Sequence, residues 1–350
     1  MQKYYTRACN FYYGNESIKK VLSKSSLPLN NSKLISFDTL EIITRKKIKR
    51  INIKNINSQS SSLKKKIKKD LKEITKKKIF NGLVFSNFPI LMGVINLTPD
   101  SFSDGGKYNK KNRALKHARY LIEKGCKILD IGGESTRPGS NEVKIKKEWR
   151  RINETLKKIR KLKNFVSLDT RKSWIMQKGI DNNVNLINDI SGLEHDPKTI
   201  NVLKKTKIPF VINHIKGNPK SMQKNPNYKN VLLDIYDFFE SKINKIKSKG
   251  IKHNNIILDP GIGFGKNLKH NITLISKVSI FHSLGFPIML GFSRKRFIKD
   301  LSGNNDSKER LGGTISSSLY AMMQGVQILR IHDVNEVNQS LKVFKSLKFK

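Results

Sequence analysis

Ile90-Leu-Met-Gly-Val-Ile-Asn96 is a short, unbroken apolar run that ends in a polar side chain, and the same device returns seven more times before residue 333. The other runs are Lys127–Asp130, Phe165–Asp169, Asn185–Asp189, Pro209–His214, Ile256–Asp259, Pro287–Ser293 and Ile328–His332. Continuous rather than alternating apolar character marks strands covered on both faces, as in a parallel sheet sheathed by helices. Segments of helical pattern separate the runs, and several stop at a glycine, as at Gly125, Gly250, Gly285 and Gly325, where a left-handed residue closes a helix. Eight strand–helix units within about 260 residues predict an α/β protein of the (β/α)8 TIM-barrel type. A doubly wound sheet is the alternative.

In such a barrel the C-terminal ends of the strands share one mouth, where active sites are built. The strand list therefore doubles as a site list: Asn96, Asp130, Asp169, Asn188, His214, Asp259, Ser293 with Lys295, and Arg330 with His332. Any one of these alone reads as a strand-end group satisfied by backbone. Eight in succession read as a site.

The 350 residues carry 70 Lys and Arg against 27 Asp and Glu, a formal charge of +43. The excess is spread along the chain, with 21 basic and 5 acidic side chains before residue 88 and 49 and 22 from there on. Lysine scattered among Asn and Ile is read as decoration of solvated faces, so nucleic acid is not an expected partner. An apolar content of 37%, with 17 Phe and 9 Tyr, excludes wholesale disorder. No apolar run approaches the roughly 18 residues that cross a bilayer, so no membrane partner is expected. Cys9 and Cys126 make no disulfide framework and no cleavable leader pattern opens the chain, which together imply a cytoplasmic protein.

Residues 1–78 read differently from 79–350. They are Tyr-rich at the start, then Asn- and Ser-rich, then lysine-rich from Lys64 to Lys78. Lys33–Ile43 predicts a strand or two and Leu63–Ile79 a basic helix. The expectation is a small, weakly packed basic N-terminal extension on a catalytic barrel.

Asp259-Pro-Gly-Ile-Gly-Phe-Gly-Lys266 has the look of a phosphate loop and fails as one. Pro260 stands where the first glycine belongs, and Asn267 where Ser or Thr should follow the lysine. What remains is a carboxylate at a strand end followed by a loop too glycine-rich to crowd a ligand. Two longer loops, Asn96–Gly106 and Gly132–Ser140, combine hydroxyls, carboxylates and glycines, a composition suited to lids that order over a ligand.

Eight motifs in order carry a resemblance: GVINLTPDSFSDGG (Gly93–Gly106), LDIGGESTRPGS (Leu129–Ser140), SLDTRK (Ser167–Lys172), INDISG (Ile187–Gly192), HIKGNP (His214–Pro219), LDPGIGFGK (Leu258–Lys266), GFSRK (Gly291–Lys295) and ILRIHDV (Ile328–Val334). From about Phe80 to Phe349 the chain resembles the dihydropteroate synthase family of folate biosynthesis, the target of sulfonamide drugs. The resemblance implies a transferase that condenses 6-hydroxymethyl-7,8-dihydropterin diphosphate with p-aminobenzoate, giving 7,8-dihydropteroate and diphosphate with Mg2+ assistance, and it implies a homodimer. It also implies roles. Asp259 accepts the paired donors of the pterin edge, Asn188 and Asp169 complete that edge, and Lys295 meets the ring carbonyl or nitrogen. Asn96 serves the metal–diphosphate site, while Arg137, Arg330 and His332 form the anion pocket. Phe102, Asp104, Thr136 and Pro138 on the two lids shape the p-aminobenzoate pocket and exclude water.

Two departures stand out. Arg296 follows the GFSRK lysine where the family usually has a small hydroxyl residue, and it either pairs with the p-aminobenzoate carboxylate or turns to solvent. Asn213 stands where methionine is common, which bears on one face of the pterin. The nearest enzymatic rival is a pterin-binding methyltransferase domain, which has no reason to keep both lid sequences. A nucleic-acid role for the lysine-rich extension would betray itself by affinity that collapses with salt.

Overall fold

The structure, a computed structural model, describes residues 2–80, 83–85, 88–98, 107–135, 139–217, 222–223 and 225–350. The chain begins with β1 (Tyr5–Tyr13), α1 (Gly14–Leu22), β2 (Leu27–Leu29), β3 (Ser32–Ile43), β4 (Ile48–Asn52) and α2 (Ser61–Thr75). A hairpin follows, β5 (Ile79–Phe80) and β6 (Leu83–Val84). The repeating part then runs β7 (Ile90–Asn96), α3 (Lys107–Glu123), β8 (Ile128–Gly132), α4 (Ile145–Arg160), β9 (Phe165–Asp169), α5 (Ser173–Asp181), β10 (Leu186–Asp189) and α6 (Thr199–Lys204). It continues with β11 (Phe210–Asn213), α7 (Val231–Ser248), β12 (Ile256–Asp259), α8 (Leu268–Ser276), β13 (Met289–Leu290), α9 (Arg296–Ser302), α10 (Leu311–Met323), β14 (Ile328–Ile331) and α11 (Val334–Lys348).

Strands β7 to β14 pair in parallel in the order β12-β11-β10-β9-β8-β7-β14-β13. The two ends of that order meet: Leu258 bridges Ile288, and its N–H donates to the Pro287 carbonyl at 2.9 Å. A doubly wound sheet keeps two open edges, so the sheet is instead a closed eight-stranded barrel. Met92, Ile128, Leu186, Val211, Ile257, Met289 and Ile328, each at or near the start of its strand, fill the barrel interior, and Leu83 and Phe85 from the hairpin close that end. A larger apolar cluster lies between the strands and the surrounding helices. The interior is thus apolar at the N-terminal ends of the strands, and the charged side chains gather toward the C-terminal ends.

The first 75 residues are better packed than their composition predicts. β1, β2 and β4 all pair antiparallel to β3, and Ala8, Leu29, Ile35, Phe37, Leu40, Ile42, Ile51, Leu63, Ile67 and Ile74 are buried together. On α2 the buried positions 63, 67 and 74 form one stripe, while Lys65, Lys68, Lys69 and Lys72 face solvent. The lysine run is therefore one face of an amphipathic helix. β1 escaped sequence reading because both of its faces are covered and one of them is polar: Arg7 pairs with Glu41 of β3 at 2.8 Å and also donates to Ser279.

This layer docks on the outside of the barrel. Tyr5 meets Tyr236 of α7 edge to face at 5.1 Å, and its hydroxyl donates to Asp237 at 2.9 Å. Arg45 donates to Asp234, also on α7, at 2.7 Å. Tyr13 donates to the Met323 carbonyl and packs on Phe349. Gly14 has φ +57°, and any side chain there would collide with the backbone of Phe349 and Lys350. The contacts at Met323 and Phe349 lie at the C-terminal ends of α10 and α11, the end of the barrel opposite the mouth.

Candidate active site

Arg330 on β14 donates through Nε to Asp130 Oδ2 of β8 at 2.6 Å and through Nη2 to Asp169 Oδ2 of β9 at 2.8 Å. Asn188 on β10 donates to the same Asp130 oxygen at 3.1 Å. β7 lies between β14 and β8 in the sheet, so these bonds run as chords through the barrel interior. Asp130 is fully buried and its Oδ1 has no partner among the described residues. Burial raises the Asp169 carboxyl, the Arg330 charge opposes that rise, and the Asp130 charge adds to it. Burial also works against the Arg330 charge, and Asp130 and Asp169 more than offset it, so the guanidinium stays protonated. A guanidinium has five N–H groups, and the two used on carboxylates leave three for a ligand.

Asp259 stands at the tip of β12, beside Asn213 in the β11 register. Its Oδ1 accepts from the Gly261 N–H at 2.8 Å, and the carboxyl is buried and raised by desolvation against the pull of Lys295, Lys266 and Arg330. Gly261 takes a left-handed φ of +69°, and a side chain there would lie 2.0 Å from the His214 carbonyl oxygen. That glycine lets the loop after β12 press against the loop after β11. Lys295 reaches over the loop, donates to the Ile262 carbonyl and stands 4.4 Å above the Phe264 ring. Burial lowers the Lys295 ammonium to about 7, with Asp259 opposing. Asn267, which spoiled the phosphate-loop match, is the N-cap of α8 and accepts from the His270 N–H at 2.9 Å.

At the rim, His332 faces Ser293 Oγ through Nδ1 at 3.1 Å. Arg294 forks onto Asp333, and Arg310 donates to the Arg294 carbonyl at 2.9 Å, which together fix the turn that presents Lys295. Asn96 ends β7 half-buried, with Gly132 as its register partner. Asn213 is buried and donates to the Ile190 carbonyl at 2.8 Å. Arg296 takes the solvent alternative: it is exposed and reaches Asp300, four residues on, at 3.4 Å. Phe102, Asp104, Thr136, Arg137 and Pro138 lie outside the described residues.

Beside the mouth, a buried ionic cluster holds both stems of the second lid sequence. Glu134 accepts from Lys172 at 2.5 Å, from Arg171 at 2.8 Å and from the Val143 N–H at 2.7 Å. Lys172 also donates to Glu148 of α4 at 2.5 Å, which accepts from Thr170 at 2.8 Å. Sequence reasoning assigned no role to Glu134, Lys172 or Lys266, although each stands inside a quoted motif. Charged residues in loops carry no periodicity that would announce their burial.

The site thus joins an acidic wall to a set of cations at one mouth, as an enzyme that binds a polar heterocycle and an anion requires. The family model for pterin binding enzymes matches residues 92–332. The dihydropteroate synthase of Escherichia coli strain K12 is 38% identical over 259 residues, spanning 74% of this chain and 91% of that protein. Two solved structures superpose on the barrel. Yersinia pestis dihydropteroate synthase with a sulfonamide drug complex gives a TM-score of 0.72 at 36% identity, covering 78% of this chain and 99% of that one. Xanthomonas albilineans dihydropteroate synthase in complex with 7,8-dihydropteroate gives 0.67 at 30% identity, covering 74% and 94%. The chain belongs to the pterin-binding enzymes of the dihydropteroate synthase family. The layer formed by residues 5–75 precedes the matched segment.

Proposed function

We infer that the protein condenses 6-hydroxymethyl-7,8-dihydropterin diphosphate with p-aminobenzoate, forming 7,8-dihydropteroate and releasing diphosphate. One observation carries the reading: the chords from Arg330 to Asp130 and Asp169 set a fixed cation against an acidic wall that also holds Asp259 and Lys295. The product complex of the Xanthomonas relative supports it.

The pterin presents adjacent N–H donors, and the Asp259 carboxylate accepts both in parallel, a planar charge-assisted match. Asn188 and Asp169 meet the rest of that edge, and Lys295 meets the ring carbonyl or nitrogen. The C–O bond from the pterin methylene to diphosphate then breaks, with the electron pair leaving on the diphosphate. Arg330 from the floor of the mouth and His332 from its rim take up that charge, and the resemblance assigns Arg137 to the same task. The neutral amine of p-aminobenzoate forms the new C–N bond and releases its proton. No general base is needed before that attack. The resemblance assigns Thr136, Asp104, Phe102 and Pro138 to the p-aminobenzoate side, with the task of keeping water from the cationic methylene.

Mg2+ is read as the ion that accompanies the diphosphate. No group of three metal-ligating side chains occurs among the described residues, and the carboxamide of Asn96 at the rim suits an ion held chiefly by diphosphate oxygens and water. When bound, such an ion offsets leaving-group charge. A cytoplasmic location fits two buried free cysteines, and no helix among the described residues is long and apolar enough to cross a membrane. We also place a second copy of the chain on α10. That helix, Leu-Gly-Gly-Thr-Ile-Ser-Ser-Ser-Leu-Tyr-Ala-Met-Met, has no charged residue in a chain that is 28% charged, and its Tyr320 is exposed.

The test is p-aminobenzoate-dependent diphosphate release by the full chain. The reading expects Asp259→Asn to raise the KM for pterin diphosphate by about 10- to 100-fold, with the KM for p-aminobenzoate nearly unchanged. No diphosphate release from the parent enzyme, or an unaltered pterin KM in the variant, overturns it.

A further inference from the structure

Lys266 ends the glycine-rich loop after β12 and is buried, 3% exposed. Among the described residues no carboxylate lies within ion-pair distance of it, which is unusual for a buried lysine. Its Nζ instead donates to the Phe264 carbonyl at 2.8 Å and the His214 carbonyl at 3.2 Å, and it faces His214 Nδ1 at 3.0 Å. Three N–H groups thus meet three acceptors, the full capacity of an ammonium.

The two loops that Lys266 joins both shape the mouth. The His214 N–H donates to the Asp259 carbonyl at 2.9 Å, and Gly261 and Gly265 bring the loop after β12 against the backbone of His214 and Lys216. For Nδ1 to accept from an ammonium, the imidazole must be neutral and carry its proton on Nε2. Burial, then the Lys266 charge, hold His214 well below the ordinary histidine range, consistent with that state. The imidazole is fixed by the edge-to-face contact with Phe238 at 4.8 Å.

We propose that Lys266 is a positioning residue for pterin capture, a buried cation clipped to His214 that locks the two mouth loops together and supplies positive charge behind Asp259. The proposal rests on the reading of Asp259 as the acceptor for the pterin edge. A carboxyl in this dry place is pushed toward its neutral form, and a neutral acid cannot accept two parallel donors. The charges that oppose that push are Lys295 from the β13–α9 turn, Lys266 from its own loop and Arg330 from β14. Lys295 and Arg330 both meet substrate in the proposed reaction. Lys266 has its Nζ held by Phe264 and His214, so its place beside the loop after β12 does not depend on substrate. Burial lowers the Lys266 ammonium well below the ordinary lysine range; Asp259 opposes that drop and Lys295 adds to it, just as Lys266 opposes the rise that burial imposes on Asp259.

The test uses the full chain and follows the KM for pterin diphosphate, the KM for p-aminobenzoate and kcat from pH 5 to 9. Lys266→Met is expected to move the acid limb of pterin capture up by about one pH unit, a tenfold rise in pterin KM on the acid side. Saturating kcat should stay within about threefold, and the p-aminobenzoate KM should not move. His214→Gln keeps an acceptor for Nζ and is expected to hold the limb near its parent position, whereas His214→Leu shifts it as Lys266→Met does. An acid limb that stays in place in Lys266→Met overturns the proposal. So does a parallel fall of kcat and both KM effects, which marks a merely structural lysine. Should Lys266→Met fail to fold, the contrast between His214→Gln and His214→Leu decides the matter by the same criterion. Asp259→Asn separates the underlying reading: if it binds the pterin substrate like the parent, the assignment of Asp259 fails rather than that of Lys266.

Discussion

Arg330 Nε and Asp130 Oδ2, 200 residues apart in the chain, meet at 2.6 Å inside the barrel. The same guanidinium holds Asp169, so one planar group ties β14 to β8 and β9 and sets the floor of the mouth. Its fork geometry matters as much as its charge, because two carboxylates on different strands are reached from fixed directions.

Arg330→Lys keeps one positive charge and loses that fork. The expected result is a fall of about 100-fold or more in kcat/KM for pterin diphosphate, with the far-ultraviolet circular dichroism unchanged. Arg330→Met is expected to cost about 3–5 kcal/mol as well, because it leaves buried carboxylates without their cation, and urea unfolding measures that loss.

Lys295 carries its positive charge below about pH 7 and loses it above, because burial lowers its ammonium to that value. The kcat/KM for pterin diphosphate is therefore expected to fall as pH rises through the neutral range. Bound diphosphate favours the cation, so the matching limb in kcat lies at higher pH. Lys295→Arg, whose charge persists, should abolish the neutral limb even where its absolute rate is low.

Lys172 sits between Glu134 and Glu148, all three buried. Lys172→Met leaves buried Glu148 without its cation and Glu134 with Arg171 alone, and is expected to destabilise the fold by about 3–5 kcal/mol. Adding Glu148→Gln to that variant should restore part of the loss. A double variant less stable than Lys172→Met shows that the two groups are not coupled in this way.

Arg296 is exposed and, among the described residues, pairs along its own helix with Asp300. Arg296→Ser is accordingly expected to leave the p-aminobenzoate KM within about twofold, as for other exposed pairs of small energetic weight. Steady-state kinetics at fixed saturating pterin diphosphate checks it.

Tyr5 lies on the outside of the barrel and anchors the N-terminal layer on α7. Tyr5→Ala removes a buried ring and its bond to Asp237, with an expected loss of about 3–5 kcal/mol. The denaturation midpoint should drop while kcat stays near that of the parent. A large fall in kcat without a change in stability counts against a purely structural layer.

The sequence by itself determined the barrel, its eight strands within a residue or two at most ends, and the polar residues at their tips. Those features are local: an apolar run, its length and the side chain that closes it are set within a few residues of one another. The same reading placed Asp169, Asn188, Asp259, Lys295, Arg330 and His332 at strand ends or in the turns that follow them. Only the tertiary structure decided which tips meet, because Arg330 with Asp130, or Lys266 with His214, depends on ring closure and on two glycine-rich loops pressing together. It alone revealed β1, whose Arg7–Glu41 pair hides a buried strand behind polar residues, and it turned Arg296 outward. Burial is a property of neighbours far away in the chain, and for charged side chains it leaves no periodic trace in the order of residues.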